Sequence, residues 1–165
     1  MKKVVSIVYQ GELEHRDSAG NHGKIGPGDV QWMTAASGVV HEEKHSREFT
    51  RRGGTLEVVQ LWVNLPAEFK MSSPRYQTIL DRQIPSVSLP EGAGTVRVIA
   101  GEFGGVKGPA ETSTPINLWD LRLKTYHRAE FMLPRGFTTA LFVLRGEVAL
   151  PDAERAGEAD LALLT

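Results

Sequence analysis

The sequence predicts an all-β fold, on three observations. Helical periodicity is scarce. Short apolar runs recur along the chain, each closed by Gly or Pro. One run-plus-turn pattern occurs twice in the same order. The chain has 165 residues, which suits one ordinary domain or two small modules sharing a core. A hydrophobic content of 41% and a charged content of 24% place it among globular rather than disordered proteins.

Val4–Tyr9 reads as a buried strand that Gly11–His15 continues. Asp17–Gly23 (DSAGNHG) is turn chemistry, because Asp, Asn and Gly tolerate tight backbone angles. Gly26-Pro27-Gly28-Asp29 is a second turn. Val30–Thr34 and Gly38–His41 read as strands, and Leu56–Leu65, rich in Val and Leu, is the strongest strand in the chain. Lys70–Pro90 carries Pro74, Pro85 and Pro90 and no sustained period, so it reads as a linker with one short turn near Tyr76–Leu80. Thr95–Ala100, Ile116–Leu123, Ala129–Leu133 and Thr138–Leu144 follow as strands, with Pro134-Arg135-Gly136 as a turn.

The repeat pairs Ser6–Leu13 (SIVYQGEL) with Leu141–Val148 (LFVLRGEV), then Gly26–Val30 (GPGDV) with Gly157–Leu161 (GEADL). It implies a duplicated β-module whose second copy stops just as its next strand should begin.

Formal net charge is −1, so nothing favours nucleic-acid binding by charge. No apolar run approaches the roughly 20 residues that span a bilayer, and Met1–Gln10 reads as a strand rather than a secretory signal. The chain has no cysteine, which excludes thiolate nucleophiles and Cys-ligated zinc and fits a cytoplasmic protein.

Chemistry concentrates at His41-Glu42-Glu43. On a strand, residues two apart share a face, so His41 and Glu43 present an imidazole and a carboxylate to one side. That pair suits Fe(II), Mn, Ni or Zn. The apolar approach Ser37–Val40 would place it inside a barrel. A metal-ligand pair and a salt-bridged strand end both fit this spacing. His41–His45 also matches H-E-x-x-H literally, but that motif needs a helix, and Gly38-Val39-Val40 is poor helix material. His22 and His127 read as surface residues, and His15 as a polar partner at the rim. Gly53-Gly54 and Gly104-Gly105 lack the flanking residues of phosphate loops.

Glu14–Gly20 (EHRDSAG), Gly26–Thr34 (GPGDVQWMT) and Gly38–Glu43 (GVVHEE) closely resemble the first module of the pirin family of cupins. Leu61–Leu65, Arg75-Tyr76-Gln77, Ile84-Pro85, Val98–Glu102 and Leu133–Glu147 extend the likeness over nearly the whole chain. The resemblance implies a bicupin of two β-barrel, jelly-roll modules. Residues 1–69 would form an N-terminal module lacking its first strands, 70–94 a linker, and 95–165 an incomplete C-terminal module.

The resemblance also implies one iron held by three histidines and a glutamate. His41 and Glu43 take two of those places, and Glu43 doubles as the catalytic proton acceptor. The family's His-x-His would fall ahead of Met1, and Lys2, Lys3 and Ser6 cannot replace it. The implied activity is quercetin 2,3-dioxygenase, opening a flavonol with O₂ at Fe(II), with weak metal binding and impaired turnover here. A redox-sensitive regulator docking on a protein partner and an inactive cupin fragment are the alternatives. Missing strands would leave exposed sheet edges, an association hazard.

Overall fold

The computed structural model describes residues 2–151 and 154–164. Strands dominate it: β1 (Lys2–Gln10), β2 (Leu13–Asp17), β3 (His22–Ile25), β4 (Val30–Thr34), β5 (His41–His45), β6 (Glu57–Asn64), β7 (Arg75–Ile79) and β8 (Ser86–Ser88). There follow β9 (Gly94–Ala100), β10 (Glu102–Phe103), β11 (Val106–Lys107), β12 (Leu118–Leu123), β13 (Thr139–Phe142), β14 (Val148–Ala149), β15 (Arg155–Ala156) and β16 (Leu161–Leu164). One short helix, α1 (Arg47–Arg52), and three single 3₁₀ turns complete the described elements. The all-β expectation holds. No described helix is long and apolar enough to cross a membrane. The chain divides into two compact units, 1–129 and 130–165.

In the first unit, β1 lies between β6 and β4, and β7 adds to the far side of β4. The register pairs Ser6 with both Gln31 and Gln60, and Val5 with both Trp32 and Leu61. Because side chains alternate along each strand, the sheet has two different faces. One carries Val5, Ile7, Val30, Trp32 and Ile79, which join Ile84, Ile99 and Ala100 in the main core. The other carries Ser6, Gln31 and Gln60 beside Val4 and Val8. A second sheet, ordered β3-β2-β5, contributes Leu13 and Ile25, which pack on Val8 in a smaller cluster. A third, ordered β12-β9-β8, carries the Ile99 side of the main core.

Gly11–His15 does not continue β1. Gly11 stands at φ +84°, and a Cβ there would lie 2.8 Å from Leu56 Cδ1. The chain turns at this glycine into the second sheet. The segment read as a linker contains a strand, β7, whose pairing with β4 runs from Val30–Ile79 to Thr34–Arg75. Its pattern is hidden in sequence because polar residues stand on both faces, Arg75 and Gln77 on one and Tyr76 and Thr78 on the other. Gly38–Val40 is not a strand. It approaches β5 exposed, with Val40 80% accessible, so the expected burial of this approach fails. Ala129–Leu133 forms no strand among the described residues. Met132 is 95% exposed.

The repeat survives down to individual hydrogen bonds. In the first copy, Gly28 N–H donates to Val8 O (2.8 Å), Val8 N–H to Asp29 O (3.2 Å) and Gly26 N–H to Asp29 Oδ2 (3.0 Å). In the second, Ala159 N–H donates to Val143 O (2.8 Å), Val143 N–H to Asp160 O (3.0 Å) and Gly157 N–H to Asp160 Oδ2 (2.7 Å). Gly28 and Ala159 both take positive φ, +87° and +67°. Ile7 pairs with Val30 in one copy and Phe142 with Leu161 in the other. The strand that follows the second turn begins as expected, as β16 (Leu161–Leu164).

Helix α1 is fastened by Glu12. Ser46 caps it, accepting from Phe49 N–H at 3.0 Å and donating to Glu12 Oε2 at 2.7 Å. Lys24 Nζ lies 3.0 Å from Glu12 Oε2 and Arg52 Nη2 3.3 Å from Oε1. The Ser46 hydroxyl first, then Lys24 and Arg52, hold the Glu12 carboxyl down at about 2.

Two outcomes follow from this packing. Ile99→Ala empties a fully buried position and lowers unfolding free energy by about 2–5 kcal/mol in urea titrations, whereas Val40→Ala changes it by under about 0.5 kcal/mol. A carboxyl depressed by folding stabilises above its unfolded value near 4.5 and loses that contribution as pH falls toward about 2. Glu12→Gln therefore lowers the melting temperature at pH 7, and its gap from the unsubstituted chain narrows steadily once pH drops below 4.5.

Candidate metal-binding site on β5

Strand β5 pairs with β2 so that His41 faces Asp17, Glu43 faces His15 and His45 faces Leu13. Directly paired residues share a face, so His41, Glu43 and His45 lie on the side of buried His15 and Leu13, with Glu43 half-buried and both histidines exposed. His41 and Glu43 therefore lie on one side of one strand, as their spacing implies. Glu42 points away and pairs with Lys44 at 3.0 Å. The H-E-x-x-H reading is excluded because the segment is a strand. Its second histidine, His45, packs edge-on against Phe49 at 5.3 Å.

Glu43 is the best-supported polar side chain of this face. Gln31 Nε2 and Ser6 Oγ donate to its Oε1, the latter at 3.4 Å, and Gln60 Nε2 donates to its Oε2 at 2.7 Å. Each glutamine is itself oriented by an aromatic donor. Tyr76 O–H donates to Gln31 Oε1 at 3.2 Å, and Trp62 Nε1–H to Gln60 Oε1 at 3.0 Å. With each amide oxygen engaged, the NH₂ groups turn toward the carboxylate. Burial first, then the Glu43 and Asp17 carboxylates, pushes the Tyr76 hydroxyl above its ordinary value against a hydrogen bond with Thr78. It remains a donor at neutral pH.

His15 is not at a rim. It is 2% exposed, stacked on Tyr76 at 4.5 Å and on His41 at 5.7 Å between ring centroids. Its Nε2 lies 3.3 Å from Asp17 Oδ2, and its Nδ1 is buried with no hydrogen-bond partner among the described residues. Burial works against the charge on Asp17, but hydrogen bonds from the Asn21 side chain and backbone, His15 and Ala19 outweigh it and hold the carboxyl below its ordinary value. His22 and His127 are exposed, and His127 Nδ1 lies 2.9 Å from Thr125 O.

Imidazole and carboxylate fit a divalent first-row metal in kind. Among the described residues, no third His, Asp or Glu joins them in metal-holding geometry, so the face offers two donors rather than a closed shell. Ser6, Gln31, Gln60, Tyr76 and His15 escaped the sequence reading as parts of this face. Gln31 and Tyr76 lay inside recognised motif stretches, but only strand register shows that they meet Glu43.

The Pirin family model matches residues 2–63. A Pseudomonas aeruginosa protein carrying the provisional name quercetin 2,3-dioxygenase is 58% identical over 98% of this chain and 56% of its own length. Human pirin is 37% identical over 88% of this chain and 48% of its own. The crystal structure of quercetin 2,3-dioxygenase from Acinetobacter baumannii superposes with a TM-score of 0.94 at 46% identity, covering 99% of this chain and 57% of that one. The chain spans about half the length of the curated relatives it matches. The duplicated turn, the strand register beneath His41 and Glu43 and these likenesses agree: over nearly its whole length the chain is similar to members of the pirin family of cupins.

Proposed function

We propose that this chain carries the His41–Glu43 half of a divalent metal site of the quercetin 2,3-dioxygenase type, with iron(II) as the metal and a flavonol as the substrate. The observation that supports it best is the carboxylate of Glu43, aimed by two glutamines that are themselves fixed by Tyr76 and Trp62. A side chain held this way loses little rotamer freedom when it takes a ligand. When bound, iron(II) supplies a Lewis-acidic centre for a flavonol hydroxyl and O₂.

His41 and Glu43 would hold the metal. Glu43 can also accept the proton of the flavonol hydroxyl, because its donors keep one oxygen in place while the other is engaged. Tyr76 and the buried His15 stack in line behind the His41 ring and would hold it in place. Two donors hold a metal loosely, so turnover by this chain is slow.

Purified chain carries well under one iron per molecule and consumes little quercetin. Near-stoichiometric iron with clear turnover would overturn the impaired reading. Residual cobalt(II) binding, followed by its visible absorption, disappears in His41→Ala and Glu43→Gln. Loss of cobalt binding in neither variant removes these residues as ligands. Gln31→Leu leaves both ligands in place but weakens cobalt affinity about 10-fold by freeing the Glu43 carboxylate.

A further inference from the structure

The opposite face of the first sheet holds an unexpected charge. Lys3 lies on β1 among the core-facing residues and is 1% exposed. An ammonium has three N–H donors. Among the described residues, Lys3 Nζ makes one hydrogen bond, 3.4 Å to Glu111 O, and lies 5.6 Å from the centroid of the Trp32 ring. Burying a cation with so little compensation is costly. Burial, and then the positive charge of Arg75, pull the Lys3 amine below its ordinary value.

A cavity of about 20 Å³ lies beside it, lined by Lys3, Trp32, Thr34, Arg75, Thr112 and Ser113. Trp32 is 2% exposed, and its Nε1–H is buried without a partner. Gln77 and Glu111 also line it, and both are engaged. Gln77 Oε1 takes Glu111 N–H at 2.9 Å, and the Glu111 carboxylate lies 3.6 Å from Arg75. Lys3, Arg75 and Glu111 leave a formal excess of one positive charge. The lining thus holds an ammonium and an indole N–H that can only donate, beside Thr34, Thr112 and Ser113 hydroxyls that can turn to donate as well. Water would add donors of its own, whereas a monatomic anion only accepts. A space that admits one water-sized particle excludes phosphate and sulfate.

We propose that this cavity is a monovalent-anion site that takes chloride or bromide between Lys3 and Trp32, on the face of the sheet opposite Glu43. The ion neutralises Lys3 and gives the stranded donors an acceptor, so it acts on the stability of the sheet rather than on metal chemistry.

Crystals of the full chain soaked in sodium bromide test this directly. An anomalous peak within hydrogen-bond distance of Lys3 Nζ is expected. Melting curves at constant ionic strength, with chloride or bromide replacing gluconate, should show a melting temperature that rises with halide. Lys3→Met keeps the apolar stem, removes the charge and should abolish both the peak and the halide dependence. Ordered water in place of bromide overturns the proposal, as does an equal halide response in Lys3→Met. A bromide peak without any halide-dependent stabilisation marks an adventitious ion only and also overturns it. Should Lys3→Met fail to fold, the bromide map and the halide series on the unsubstituted chain still decide between these outcomes.

Discussion

The register of β1 between β6 and β4 is the constraint on which the first unit depends. Five residues of β1, Lys3–Ile7, pair with both neighbours, and their side chains alternate between the apolar core and the polar floor beneath Glu43. Strand periodicity is two, so slipping the chain by one residue would exchange the faces completely. Val5 and Ile7 would meet the carboxylate, and Ser6 would enter the core against Trp32. Hydrophobic burial and site assembly therefore select the same register. The pressure that packs Val5, Val30 and Ile99 also brings Ser6, Gln31 and Gln60 together.

Arg97 extends that order to the neighbouring sheet. Its guanidinium, on β9, donates to Gly28 O at 2.6 Å, Asp81 Oδ1 at 2.6 Å and Asp120 Oδ2 at 2.8 Å. Asp81 N–H in turn donates to Asp29 Oδ1 at 2.8 Å. The turn that opens β4 is therefore gripped from outside as well as by β1. The planar fork of arginine suits this multiple contact better than an ammonium would. The equivalent turn at Gly157–Asp160 keeps its internal hydrogen bonds, so the motif's geometry is intrinsic to its sequence.

Much of this was legible before any coordinates. The Val-rich runs of β1 and β6, the Gly-Asp turns and the shared face of His41 and Glu43 all follow from local rules. The duplication was legible because each copy conserves its own turn chemistry. What stayed hidden was non-local. Tyr76 lies in a proline-flanked stretch whose strand character comes from pairing with β4, not from its own pattern. His15 looked like a polar strand end, and only pairing with Glu43 shows it enclosed. Ala129–Leu133 failed in the other direction, because apolar content alone does not make a strand.

The place of β5 in its sheet has one more consequence. It is the terminal strand of the order β3-β2-β5, so one of its backbone edges lacks a sheet neighbour. Such an edge invites another chain to add on. His41, Glu42, Glu43, Lys44 and His45 make it a strand with no apolar side chain, which discourages that addition. The residues that would grip a metal therefore also act as gatekeepers. Replacing His41 and Glu43 with aliphatic residues would turn a polar edge into an adhesive one, and self-association would follow.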